Sequence, residues 1–217
     1  MRNIEGIHRE KNKLFTENLY CCIGEQVYNE RLVKQKGKEL RSWNPYRSKL
    51  AAAILKGLDF ELESDSKVLY LGAATGTTVS HISDIAKNGL IFSVEISPIS
   101  IKGLMKICEK RKNIIPILED ASHPDRYGSI ISPVDLVYQD VSQRNQAEIF
   151  IENVSRYLKK EGIGILMVKA RSIDVSLEPK KAYDLVCSKL ESNGLKIRDR
   201  IDLNPYEKDH SAIVVSF

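Results

Sequence analysis

One glycine-rich turn in the sequence has surroundings that suit nucleotide chemistry: Leu71-Gly72-Ala73-Ala74-Thr75-Gly76-Thr77-Thr78. It follows a short apolar run, Val68-Leu69-Tyr70-Leu71, and precedes a helical pattern. A glycine turn between strand and helix lets a ligand approach the backbone, and the helix start supplies unpaired N–H groups. The turn lacks the middle glycine of a GxGxxG fingerprint and the Gly-Lys-Ser/Thr of a P-loop. Glu95 lies 19 residues after Gly76, near the end of the next apolar run. A carboxylate there can accept hydrogen bonds from two ribose hydroxyls. A third run leads into Glu119-Asp120-Ala121, where a carboxylate can accept from an adenine amino group. Each feature alone is also what a tight bend or a solvated strand end would show. Together, at successive strand ends, they specify an adenosine with its ribose and no demanding pyrophosphate contact. S-adenosylmethionine fits that set better than a nicotinamide dinucleotide.

An alternating chain must position those strand ends. From residue 67 on, apolar runs at 68–71, 90–96, 113–118, 134–140 and 162–169 alternate with helical patterns. The helical patterns that matter most are 77–87, 99–111, 146–159 and 179–192. Strands separated by helices of ten or more residues predict βαβ units and a mainly parallel sheet with helices on both faces. Two further runs, 195–203 and 211–217, have only the loop Asn204 to His210 between them. They predict an antiparallel hairpin at one edge and seven strands in all, unlike the six parallel strands of a dinucleotide fold. Before residue 60 the pattern changes. Residues 27–43 read as a short hairpin turning at Lys36-Gly37-Lys38, and residues 48–57 as a helix after Pro45. The chain is therefore expected to hold an α/β, Rossmann-like domain over 61–217. A small N-terminal β extension and linking helix over 1–60 would precede it.

The 217 residues are 42% hydrophobic and 29% charged. That suits one ordinary domain with a real core and excludes global disorder. No apolar run approaches the roughly 18 residues of a membrane helix. The stretch Met1 to Lys13 has no apolar h-region, so neither a membrane partner nor a secretory signal is expected. Four cysteines without a CxxC read as reduced thiols, and His8, His81 and His123 show no ligand spacing, so no metal is expected. The net charge is +4. Residues 1–60 hold 12 Lys/Arg against 7 Asp/Glu, while the remainder hold 21 against 22. The positive excess is either a solvated face or an edge for an acidic partner.

Longer motifs resemble the fibrillarin family. They include Trp43 to Ile54 (WNPYRSKLAAAI), Val68 to His81 (VLYLGAATGTTVSH) and Asn113-Ile114-Ile115-Pro116. Asp140-Val141-Ser142-Gln143, Lys169 to Asp174 (KARSID) and Pro205 to His210 (PYEKDH) complete the set. The resemblance spans about residue 17 to the end. The absence of a Gly/Arg-rich N-terminal tail, with the KARSID run, is similar to the archaeal form and implies a cytoplasmic protein. Some positions depart from the family pattern. Asn29 stands where glycine is common, and Asn is among the residues that best tolerate positive φ. Cys21-Cys22-Ile23 replaces a stretch that commonly reads Val-Pro-Gly, Thr75 a frequent serine, and Ser142 a frequent alanine.

The resemblance implies an S-adenosylmethionine-dependent ribose 2′-O-methyltransferase acting on rRNA and tRNA within the box C/D ribonucleoprotein. It also implies partners: a guide RNA that pairs with the target, a Nop-domain scaffold protein, and a kink-turn-binding, ribosomal-protein-like subunit. Related enzymes use a Lys-Asp-Lys-His tetrad, matched here by Lys49, Asp140, Lys169 and His210. The positions expected to hold cofactor are Gly72, Ala73, Ala74, Gly76, Thr77, Thr78, Glu95, Ile96, Asp120, Ala121, Asp140 and Gln143. Lys169 is the expected base or hydroxyl-orienting group, with Asp140 orienting the lysines. Lys49 and His210 would position the ribose and its phosphate. Trp43 is expected to pin the N-terminal extension, and Arg47 with the basic hairpin to touch phosphate. Two alternatives stay open: a methyltransferase on another, unguided substrate, and a non-catalytic S-adenosylmethionine-binding scaffold subunit.

Overall fold

The computed structural model describes residues 5–217. Four strands come first: β1 (Ile7–Glu10), β2 (Lys13–Glu17), β3 (Leu32–Gln35) and β4 (Lys38–Trp43). They pair antiparallel in the order β1-β2-β4-β3. The expected hairpin is β3–β4, turning through Lys36 and Gly37, both at positive φ. The strands β1 and β2 were not expected, because their charged, short segments carry little apolar pattern. Next comes α1 (Lys49–Lys56). Ser48 caps it by accepting the Ala51 N–H at 3.3 Å, and Gly57 closes it in the left-handed conformation.

The second part alternates as its hydrophobic pattern requires. Its elements are β5 (Lys67–Leu71), α2 (Thr77–Ile85), β6 (Leu90–Glu95), α3 (Pro98–Cys108), β7 (Ile114–Leu118), β8 (Val134–Gln139) and α4 (Gln146–Tyr157). They are followed by β9 (Leu158–Lys169), α5 (Ala170–Ile173), α6 (Pro179–Ser192), β10 (Lys196–Asp202) and β11 (His210–Ser216). The short α5 was not anticipated, and β9 begins at Leu158, inside the stretch expected to be helix. The sheet runs β10-β11-β9-β8-β5-β6-β7. Strands β5 to β9 are parallel, and β11 is antiparallel to both β9 and β10. The seven strands and the edge hairpin are those the sequence predicts.

Alternation along the strands splits the core between the two faces. On β5, Val68 and Tyr70 pack with α1, α2 and α3, while Leu69 and Leu71 pack with α4 and α6. Leu14 and Trp43 of the N-terminal sheet belong to the first of these cores. The junction is also polar. Asp84 of α2 accepts from Arg41 (2.7 Å), Arg111 (2.5 Å) and Thr16 (2.6 Å), all buried. Arg41 also donates to Glu30 at 2.7 Å, and Trp43 stacks on His81 at 4.8 Å between ring centroids. A buried carboxylate paired with two guanidinium groups is costly to break, so this junction is held rigidly.

Candidate active site

The carboxyl ends of the parallel strands share one edge of the sheet, and the strand order reverses between β5 and β8. Such a switch point opens a crevice. Gly72 lines it. Its φ is +83°, and a Cβ there would lie 2.5 Å from the Asp140 carbonyl oxygen, so only glycine fits. Ala73 and Gly72 donate their N–H groups to Val94 O at 3.0 and 2.9 Å, which draws the turn toward β6. Gly76 starts α2 without any side-chain cap, and a Cβ there would meet Ile107 at 2.6 Å. The first N–H groups of α2 are therefore left for a ligand.

The residues expected to hold the cofactor surround this turn. Glu95 ends β6, and its two oxygens accept from Ala74 N (2.7 Å) and Ser97 N (2.8 Å). Each carboxylate oxygen keeps a further lone pair for a ribose hydroxyl. Ile96, next in sequence, is 55% exposed and offers an apolar surface to an adenine. Asp120 accepts from the Ser122 hydroxyl and N–H through one oxygen, leaving the other open. The Ser122 hydroxyl, followed by its N–H, lowers the Asp120 pKa and keeps it ionised. Thr77 is half-buried at the start of α2. Thr78 turns inward and donates to Ser48 at 3.0 Å, so its hydroxyl braces α1. Ala121 is buried, its carbonyl accepting from Asn153 at 2.9 Å. Gln143 is half-buried in the loop after β8. A glycine cradle, an uncapped helix start and two carboxylates at the next strand ends fit an adenosine-bearing cofactor.

The tetrad residues converge on the same edge from four different segments. Lys49 begins α1 and reaches Asp140, just past β8, with Nζ 2.9 and 3.0 Å from the two carboxylate oxygens. Lys169 ends β9 and His210 begins β11, and the two are register partners. Directly opposed residues of an antiparallel pair point to one face of the sheet. His210 Nδ1 lies 2.7 Å from the Lys208 carbonyl, which can only accept, so Nδ1 carries a proton. Lys169 Nζ has no hydrogen-bond or ion-pair partner among the described residues.

Several supporting residues escaped the sequence reading. Gln146, fully buried at the start of α4, accepts the Lys169 N–H at 3.1 Å and donates to the Lys169 carbonyl at 3.3 Å. Its amide thus stands in for one more residue of sheet. Gln139, just before Asp140, donates to the Gln146 carbonyl at 2.6 Å. The pair ties the end of β8 to the end of β9. Its only sequence signal was two glutamines flanking the Asp140 loop. Trp43 does pin the extension, through His81. Asn29 has φ +63°, the conformation its glycine counterpart would allow. The hairpin is another matter. Lys36 and Lys38 line a concavity with Glu17, Asp84 and Lys87, at the C-terminal end of α2, opposite the glycine turn. Lys38 is paired with Glu17 at 2.7 Å. The length of β4 carries the hairpin turn away from the crevice, so it is not part of this site. Arg47 stays close, sharing a groove with Thr75 and Thr77, its guanidinium 5.2 Å from the Tyr28 ring centre.

The family profile described as fibrillarin matches residues 2–217. The match reaches further toward the N-terminus than residue 17 and takes in β1 and β2. A fibrillarin-like rRNA/tRNA 2′-O-methyltransferase of Methanothermobacter thermautotrophicus is 50% identical over 216 residues, covering 99% of this chain and 96% of that protein. Aeropyrum pernix fibrillarin, solved with natively bound S-adenosyl-L-methionine, aligns with a TM-score of 0.85 and 38% identity over 99% of this chain and 100% of the other. A fibrillarin solved in a fibrillarin/Nop5p complex aligns with a TM-score of 0.91 and 41% identity over 100% and 99% of the two chains.

Proposed function

This chain belongs to the fibrillarin family, and from that premise we propose how its residues methylate RNA. It is an S-adenosylmethionine-dependent rRNA/tRNA ribose 2′-O-methyltransferase whose scaffold partner is a Nop-domain protein. The guide RNA and the kink-turn-binding subunit complete the particle in this reading. The observation that carries it is the Lys49–Asp140 ion pair standing beside the Lys169/His210 register pair, at the edge where the glycine turn lies.

When bound, S-adenosylmethionine supplies an electrophilic methyl on its sulfonium. The residues of the chain must bring a ribose oxygen into line with it and remove a proton. Gly72, Gly76 and the start of α2 hold the amino-acid end. Glu95 would accept from the ribose hydroxyls and Asp120 from the adenine amino group, with Ile96 offering an apolar surface to the ring. Lys169, whose Nζ has no partner among the described residues, would orient the target 2′-hydroxyl and, as the neutral amine, accept the proton that the hydroxyl loses on methylation. Asp140 fixes Lys49 and faces the cationic side of the crevice. Lys49 and His210 Nε2 position the ribose and adjoining phosphate.

The test is a methyl-transfer assay with labelled cofactor in the particle reconstituted with guide RNA and both protein partners. Lys169→Ala should lower kcat by about a hundredfold or more, with cofactor affinity near wild type. Full activity of the variant would remove Lys169 from this role. Efficient transfer to unguided RNA by the isolated chain would contradict the guided reading.

A further inference from the structure

Two of the motifs that supply the tetrad carry charged residues with no part in the chemistry described so far. Arg171 lies two residues after Lys169, and Asp209 immediately before His210. The two are paired, Arg171 Nε donating to an Asp209 carboxylate oxygen at 3.0 Å. A terminal nitrogen of the same guanidinium donates to the Val175 carbonyl at 2.9 Å. Beside the pair, the Ala170 N–H donates to the Asp209 carbonyl at 3.1 Å, one step beyond the Lys169/His210 register pair. Among the described residues, neither Arg171 nor Asp209 has a side-chain bond to a member of the tetrad. Asp209 has φ +57°, a left-handed conformation that residues other than glycine keep only where their surroundings hold it. That angle matters to His210. It sets the direction of the Lys208 carbonyl, which accepts the hydrogen bond of His210 Nδ1 at 2.7 Å. Relaxing φ to its ordinary negative range would swing this carbonyl away from the ring.

We propose that the Arg171–Asp209 pair is a positioning clamp for His210. This rests on the RNA methyltransferase reading above. Arg171 grips the Asp209 carboxylate, Asp209 keeps its left-handed backbone, and the Lys208 carbonyl then fixes the tautomer and orientation of the imidazole. With side chains 47% and 21% exposed, the ion pair adds little to overall stability. Its effect is local, because the strands on either side are already held by the β9–β11 pairing. The same clamp ties the start of α5 to the loop before β11, so Lys169 and His210 keep one spacing. Reaction rates respond steeply to such spacing, since a displacement of about 1 Å can cost about a hundredfold.

The experiment reads both the ring and the reaction. In the full chain carrying isotope-labelled histidine, nuclear magnetic resonance at alkaline pH, where the ring is neutral, should show His210 protonated on Nδ1. Arg171→Ala should shift that proton largely to Nε2, because the carbonyl that held it is no longer aimed at the ring. In the reconstituted particle, Arg171→Ala and Asp209→Gly should each lower kcat about tenfold, with KM for cofactor unchanged. Glycine leaves the left-handed backbone open to residue 209, so its loss would come from the missing carboxylate. The double variant should be no slower than the worse single one, since both changes remove one interaction. Asp209→Asn, which tolerates the same φ and keeps an acceptor, should recover most of the rate. An Arg171→Ala ring that stays protonated on Nδ1, or losses that add in the double variant, would overturn the proposal. So would a rise in KM for RNA alone, which would make Arg171 an RNA contact. A wild-type particle that transfers no methyl to ribose would instead defeat the underlying reading, while the ring signal would still report on the clamp.

Discussion

The histidines of this chain separate into different roles according to what surrounds each ring. His210 begins β11, largely buried, with its Nδ1 proton committed to a backbone carbonyl. His81 is fully buried, lying between Trp43 and Tyr28 with Thr16 2.7 Å from Nδ1. Burial, followed by the Arg41 and Arg111 charges, holds its pKa well below the usual 6.5. The folded protein therefore keeps His81 neutral where the unfolded chain would protonate it. The unfolded state binds the extra proton only below about pH 6.5, so stability is unaffected above that value and falls as pH drops beneath it. The slope approaches about 1.4 kcal/mol per pH unit. Urea unfolding at pH 7.5, 6.5 and 5.5 should show this decline, and His81→Gln should flatten it. An unchanged slope in the variant would assign the pH dependence to other groups.

The elements place the tetrad through backbone pairing more than through contacts among its side chains. Lys169 and His210 face the same way because β9 and β11 are in register, and Gln146 fixes where β9 stops. Removing that amide leaves the Lys169 N–H and carbonyl without these partners. Gln146→Ala should cost about 1–3 kcal/mol of stability. It should lower kcat several-fold while KM for cofactor stays near wild type. Equal loss in both kinetic constants would mean that Gln146 supports the whole crevice and not Lys169 in particular. Much of this arrangement was legible in the sequence, because βαβ alternation and the glycine turn are local patterns. The seven strands, the edge hairpin and the strand-end carboxylates all followed from them. What was not legible depends on distant partners. The burial of Arg41 needs Asp84, 43 residues away. The inward turn of Thr78 needs Ser48, and the glutamine clamp needs two strand ends side by side. The first two strands carry too little apolar periodicity to stand out, and they exist because β4 offers them an edge.

At the scale of the whole molecule, two groups of basic residues from the N-terminal region have different surroundings. Arg47 and Lys49 are beside the crevice, while Lys36 and Lys38 lie at the far end of α2. Fields between exposed charges fade over about 8–10 Å at ordinary salt. Reversal of both hairpin lysines to Glu should therefore leave methyl transfer in the particle within about twofold of wild type. Arg47→Glu should weaken RNA binding and lower the slope of affinity against salt by about one. A large loss from the hairpin variant, read in the same titration, would place RNA along the N-terminal sheet as well. The position of β11 has a consequence for how the protein tolerates damage. This strand is inserted between β10 and β9, so no contiguous stretch ending before it can close the sheet. A chain cut short ahead of His210 loses an interior strand and a tetrad member in the same stroke. It would be left with two unsatisfied edges instead of a trimmed one. Proteolysis of such a fragment would have an open edge to begin from. Closure of the sheet and assembly of the site thus depend on the same strand.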